Sequence, residues 1–234
     1  ATFGKNPIAV NLANNHIMDY GEDAFEDTIN FLEKNEIKYF GAGKASNNYN
    51  NPLNLSINEK SIALFGYSCE TTSAVFGDKN CNGSALLDLE RIQIDIENCD
   101  ADFKVVQLHW GMEEIPFPRY QDVLKARKII DFGADIIIGH HAHVLQPTED
   151  YLGKKIFYGI GNCIFPDFKM PSYFDGIKFT KISKKKQSRH NKQSMIITID
   201  EDFNITNGCI ELKKNTLVPI DNDVVPQFVP ENRE

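Results

Sequence analysis

Three short apolar runs in this chain break off on side chains that bury poorly unless something binds them. "IAVNLA" (residues 8–13) runs into Asn14, Asn15 and His16, "FKVVQLHWG" (103–111) carries His109 near its end, and "ADIIIGHHAH" (134–143) closes on His140, His141 and His143. Runs of this length, rich in Ile and Val, predict buried strands. Helix-type and strand-type patterns alternate along the chain, which predicts an α/β domain. In such sheets ligands bind in the crevice beyond the carboxyl ends of the strands. Five of the six histidines sit at these three strand ends, and only His190 lies elsewhere. A single histidine is usually a structural residue at the edge of a core; three strand ends that carry imidazole together point to coordination. Neutral imidazole suits zinc, iron or manganese, and the amide oxygen of Asn15 suits a harder ion. His141 and His143 share a face if extended, and a turn would also bring both to one site. Spacing does not decide between His140 and His141.

The remaining periodicity fills in the domain. "GEDAFEDTINFLEKNEI" (21–37) predicts an amphipathic helix with Ala24, Phe25, Ile29 and Leu32 near one face, its acids crowding the first turn where the helix dipole favours them. Asp19 is expected to cap that helix. "KYFGAG" (38–43) and "KSIALFGYS" (60–68) read as strands, and residues 120–133 follow the helical period with Gly133 as the stop. "KKIFYGIGNCIF" (154–165) reads as a strand broken by Gly159 and Gly161, and "SMIITID" (194–200) with "GCIELKKN" (208–215) as an antiparallel pair. "KISKKKQSRHNKQ" (181–193) is basic and poor in apolar residues, which predicts a solvated, flexible loop; the functional reading would make it a contact for phosphate or an acidic polymer. No internal repeat or linker interrupts the chain, so residues 1–234 are expected to form a single domain.

Composition excludes some partners. A net charge of −8 argues against nucleic acid or an anionic membrane surface as a general partner. An anionic small molecule or polymer stays open as substrate, because a local metal overrules global charge. The five cysteines show no C-x-x-C spacing and are expected mostly as small buried hydrophobes. The N-terminus lacks signal-peptide character and no run approaches the ~20 apolar residues of a membrane span, so a soluble chain is expected.

"NNHIMDYG", "LHWGMEE" and "GADIIIGHHAHVLQPTE", followed by "YGIGNCIF", resemble the bacterial capsule-synthesis, or poly-γ-glutamate-synthesis, proteins of the calcineurin-like metallophosphoesterase superfamily. The resemblance covers most of residues 8–165. It implies a four-layer α-β-β-α sandwich of the metallophosphoesterase type and a site for two divalent ions of manganese, iron or zinc. By position, Asn15 resembles a metal ligand and His16 the catalytic histidine near the leaving group. His109 resembles a ligand of the second metal, and His141 and His143 a pair divided between the two. His140 falls at a position that varies in similar motifs and is left outside the site. Glu113, four residues after His109, is a candidate for contacting substrate or supporting a ligand from behind, set against a plain exposed carboxylate. The implied activity is metal-assisted hydrolysis of an anionic ester with His16 as general acid. That would make the chain a phosphoesterase-like hydrolase of capsule or poly-γ-glutamate biosynthesis, with amide hydrolysis or transfer on a polyglutamyl chain also open. The alternative is a non-catalytic accessory or polymer-binding protein with a degenerate metal site, working beside a capsule-synthesis partner. Such proteins often act at the bacterial cell surface.

The chain departs from this pattern at its start. The family opens with a strand ending in "GD" and a further acidic motif, which supply carboxylate ligands. Here no Asp or Glu precedes Asp19, and residues 1–7 leave no room for that strand. The expectation is a portion of a longer protein, against a short member that lost half its ligands. A domain without its opening strand would expose a sheet edge and favour a homodimer.

Overall fold

Lys60 to Ser68 is a strand whose two faces are both covered, and the sheet built around it organises the molecule. A computed structural model describes residues 9–44, 50–174 and 176–228. In chain order its first elements are β1 (Ala9–Asn11), α1 (Gly21–Lys34), β2 (Lys38–Phe40), β3 (Ala42–Gly43), β4 (Leu53–Ile57), β5 (Lys60–Ser68), β6 (Gly83–Ser84) and α2 (Leu89–Glu97). Then come β7 (Phe103–His109), α3 (Tyr120–Asp131), β8 (Ile136–His140), β9 (Thr148–Tyr151) and β10 (Lys154–Phe157). Last are β11 (Phe168–Phe174), β12 (Phe179–Lys185), β13 (Gln193–Ile199), β14 (Ile205–Lys213) and β15 (Thr216–Ile220).

The large sheet has the order β4-β5-β7-β8-β10-β9. Its four central strands run parallel, and β4 and β9 close the edges antiparallel. Alternation along the strands separates two cores. Ala63, Phe65, Tyr67, Val106, Leu108 and Ile137 face α2 and α3, where Ile92, Ile96, Ala126 and Ile129 are sealed from solvent. Each large apolar side chain among them contributes about 1.5–3 kcal/mol through burial. On the other face Phe103, Val105, Ile136, Ile138 and Phe157 pack against Met195 of β13 and Cys209 of β14.

The parallel pair β1–β2 lies on that second face as well. Gln107, two residues on from Val105, accepts a 3.1 Å hydrogen bond from Asn11 Nδ2. The approach is close: a Cβ on Gly66 would stand 2.4 Å from Asn11 Oδ1. Phe25, Ile29 and Leu32 of α1 then pack with Val10, Leu12 and Ala42 beyond β1–β2. The order is therefore helices, large sheet, a second β layer of β1–β2 and β13–β15, and helix, the expected four-layer sandwich.

Several local expectations change. Ile8 and residues 1–7 lie outside the described residues. Gly41, with φ +81° and no room for a Cβ beside Asn11 and Ala13, splits the expected strand 38–43 in two. Asp19 does not cap α1: the cap position is Tyr20, with no side-chain hydrogen bond, because Asp19 is engaged by His16. Residues 181–185, expected as part of a loop, are strand, paired antiparallel with β11; their side chains are exposed, as expected of the basic tract. Cys69 and Cys209 are buried, whereas Cys81 and Cys163 are exposed.

Candidate functional site

β7 and β8 run side by side with His109 directly opposite His140, so two of the three strand ends meet by register alone. Both side chains project on the face that meets the second β layer. Beyond β8 the backbone cannot continue extended and return its imidazoles to the same place. His141 (φ +85°) and His143 (φ +59°) instead adopt left-handed conformations around the buried Ala142. Such conformations are uncommon for residues with a side chain and persist where the surroundings enforce them. The turn sets the ring centre of His141 4.7 Å from that of His109 and 6.3 Å from that of His143. The third strand end arrives from β1. Asn14 Oδ1 accepts from the His16 backbone N–H at 2.8 Å, which turns the chain and brings Asn15 Oδ1 to 2.9 Å from His109 Nε2. The result is a cleft of about 240 Å³ lined by His109, His140, His141, His143, Asn14 and Asn162.

The buried imidazoles are held neutral. Burial, reinforced by the neighbouring His141, His140, His143 and His16, pushes the pKa of His109 down to about 3. Burial alone takes that of His140 to about 4. His141 is lowered by burial, opposed by the carboxylate of Glu113. At neutral pH these rings therefore offer lone pairs rather than positive charge.

Asn162 fixes the tautomer of His143. Both protons of its amide nitrogen are used, to His143 O at 2.9 Å and Asn191 O at 3.0 Å, so Oδ1 accepts from His143 Nδ1 at 2.8 Å. That leaves Nε2 of His143 with its lone pair, the usual arrangement of a ligating histidine held from behind. His141 Nδ1 and His140 Nε2 are both sealed from solvent without a hydrogen-bond partner among the described residues. A buried, unpaired polar atom costs about 1–3 kcal/mol, so these nitrogens are suited to an occupant. The Asn15–His109 separation fits as well, since two ligands about 2.1 Å from one ion at right angles lie about 3 Å apart. Nitrogen and amide-oxygen donors thus suit a divalent metal. Among the described residues, however, no three His, Cys, Asp or Glu side chains stand close enough to close around an ion as they are.

The expected residues divide accordingly. Asn15, His109, His141 and His143 come together. His16 stands exposed beside them with Nδ1 2.7 Å from Asp19 Oδ2. Glu113 is exposed, and its charge bears on His141. His140, which the resemblance leaves aside, lines the same cleft. Asn162 is not among the expected residues. Its signal is present in "GIGN", another apolar run ending on an amide, but its partners depend on a turn that spacing does not reveal.

The profile of the bacterial capsule synthesis protein PGA_cap matches residues 5–167, more than two thirds of the chain. The chain belongs to this family. It is 37% identical over 163 residues to the PGA biosynthesis protein CapA of Bacillus subtilis (strain 168), covering 68% of this chain and 43% of that protein. It is 28% identical over 171 residues to a probable polyglutamine synthesis accessory protein of Mycobacterium tuberculosis, covering 68% and 45% respectively. Among solved structures, a 5'-nucleotidase precursor from Thermus thermophilus superposes with a TM-score of 0.47 at 15% identity, over 94% of this chain and 40% of that one. The chain spans less than half the length of these curated relatives. No helix among the described residues is long and apolar enough to cross a membrane.

Proposed function

We propose that this PGA_cap family member is a metal-dependent, phosphoesterase-like hydrolase of capsule or poly-γ-glutamate biosynthesis. The observation that supports it most is the convergence of His109, His141 and His143, partly unpartnered, with Asn15 at one cleft. Those four side chains would hold divalent metal, two ions of manganese, iron or zinc by family resemblance. When bound, the metal supplies positive charge for an anionic ester and acidity for water.

The chain's own groups account for the remaining steps. His16 keeps Nδ1 on the Asp19 carboxylate, which orients the ring and leaves Nε2 available. An exposed, carboxylate-backed imidazole of this kind delivers a proton to a departing oxygen and recovers it from solvent. Asn162 holds His143 in one tautomer. Glu113 bears on the same site from the loop after β7, where it would steer substrate or water.

Metal analysis of the purified protein tests this reading. Manganese, iron or zinc is expected to co-purify, and to fall together with hydrolysis of a chromogenic phosphoester in His109→Ala and His141→Ala. A second reading, a non-catalytic accessory protein that binds polymer or a synthase partner, is supported by the name of the mycobacterial relative. It prevails if the protein takes up no transition metal and His109→Ala changes nothing that is measured.

A further inference from the structure

Residues 167–192 hold eight of the chain's 25 Lys and Arg but only two of its 33 acids, within a molecule of net charge −8. The stretch is a built element: β11 and β12 form an antiparallel ribbon with Lys169 directly opposite Lys184. Like charges facing each other across a ribbon are destabilising, and the run Lys184, Lys185, Lys186 adds to that cost. Asp167 relieves part of it, reaching Lys192 at 2.9 Å and Lys184 at 3.7 Å. Lys169, Lys185 and Lys186 are exposed and make no ion pair among the described residues. Repulsion of this kind is relieved by an anionic ligand.

The ribbon is also rooted in the cleft. Phe165 stacks on His143 with ring centres 5.2 Å apart, and Phe168, the first residue of β11, lies 6.3 Å from Phe165. Lys185 pairs opposite Phe168, so it projects on the same face. The returning leg is tied through the bond from Asn162 Nδ2 to Asn191 O. The ribbon thus carries cations on both faces, Lys185 on the side of Phe168 and Lys169 with Lys184 on the other, and its base adjoins the imidazoles.

We propose that the β11–β12 ribbon and the turn after it bind a polycarboxylate chain of the polyglutamate type and lead it to the cleft. The identity of the polymer rests on the capsule-synthesis reading above; the polyanion class rests on the ribbon itself. Repeated carboxylates would each replace small counterions on successive lysines, which makes the contact salt-sensitive. An anionic membrane is the less favoured occupant. Apolar side chains are exposed on both faces, Phe168 and Met170 on one and Ile182 on the other. Each face also carries lysine, Lys185 on the first and Lys184 with Lys169 on the second, so the apolar groups are not segregated onto one face as insertion would need.

Fluorescence anisotropy with labelled poly-γ-glutamate tests this on the whole chain, beside free glutamate and phosphatidylglycerol vesicles. The polymer is expected to bind at low salt and weaken as salt rises, with free glutamate far weaker. The triple variant Lys169→Gln, Lys185→Gln, Lys186→Gln is expected to lose at least tenfold in polymer affinity with an unchanged circular dichroism spectrum. Lys34→Gln, Lys79→Gln, Lys128→Gln, an equal loss of charge on other surfaces, is expected to bind like the parent. Equal binding by both triple variants, absence of polymer binding, or binding to vesicles in place of polymer would each overturn the proposal. The hydrolase reading fails separately: the ribbon variant is expected to keep its metal, and His141→Ala to lose metal while still binding polymer.

Discussion

His16 and Asp19 are the pair on which the proposed proton transfer turns. His16 is two-thirds exposed and touches Asp19 three residues on, so neither residue carries much of the fold. Surface substitutions of this sort usually change stability by no more than about 0.5 kcal/mol. A general acid, by contrast, contributes about 10²- to 10⁴-fold to a rate. His16→Ala is therefore expected to reduce kcat for a phosphoester by that range while metal content and melting temperature stay near the parent values. Asp19→Asn should give a smaller loss, because the imidazole is still present but no longer has a carboxylate to orient it. Metal analysis beside steady-state kinetics separates the roles. Loss of metal in His16→Ala would make this imidazole a ligand and remove the proton-transfer assignment.

At the scale of elements, the parallel strands β7 and β8 hold His109 and His140 opposite each other, where burial suppresses their protonation. Both groups bind a proton near pH 6.5 when unfolded, but only near 3 and 4 when folded. Between those limits the unfolded chain holds more protons, so the stability these residues allow is full above about pH 6.5 and drains as pH falls. For His140 alone the shift corresponds to about 3 kcal/mol by pH 4. Metal-free protein is thus expected to show a urea midpoint that declines steadily from pH 7 to 4, with a shallower decline in His140→Gln. A midpoint independent of pH over that range would mean the rings are solvated. Elements of this kind are legible where burial writes a period into the sequence: β5 begins and ends at Lys60 and Ser68 as expected, and α3 stops before Gly133. β12 is not legible. From residue 180 to 185 its side chains are exposed on both sides, so lysine-rich composition reads as loop, and only pairing with β11 reveals a strand. α2 escapes the sequence reading too, although Asp88 caps it through Arg91 N–H and Ile92 and Ile96 mark its buried face. Of its four apolar residues, Leu89, Ile92, Ile94 and Ile96, the last three alternate as a strand would, and Ile94 proves exposed, so the helical period does not stand out before the packing is known.

On the scale of the whole molecule, the cleft lies where the two β layers meet. Asn15 comes from the layer of β1, and His109, His141 and His143 from the large sheet. That convergence is legible because parallel strands deliver their carboxyl ends to one rim; the left-handed turn that aims His141 and His143, and the grip of Asn162, belong to tertiary geometry. An ion held by both layers would staple them, and unfolding would have to release it. Metal binding should then appear as global stability. At about 100 times its dissociation constant a ligand specific for the native state adds about 2.7 kcal/mol. For a chain of this size that is a rise of about 5–10 °C in melting temperature. Titrating metal-free protein with manganese or zinc is expected to raise Tm with the logarithm of metal concentration, and a chelator to reverse it. His141→Ala should abolish the increment yet leave the metal-free Tm close to the parent, since His141 Nδ1 has no hydrogen-bond partner to lose among the described residues. Asn15→Ala should reduce the increment as well, because it cuts the staple from the opposite layer. A rise in Tm that survives both substitutions would put the metal somewhere other than this cleft, and the hydrolase reading would lose its support.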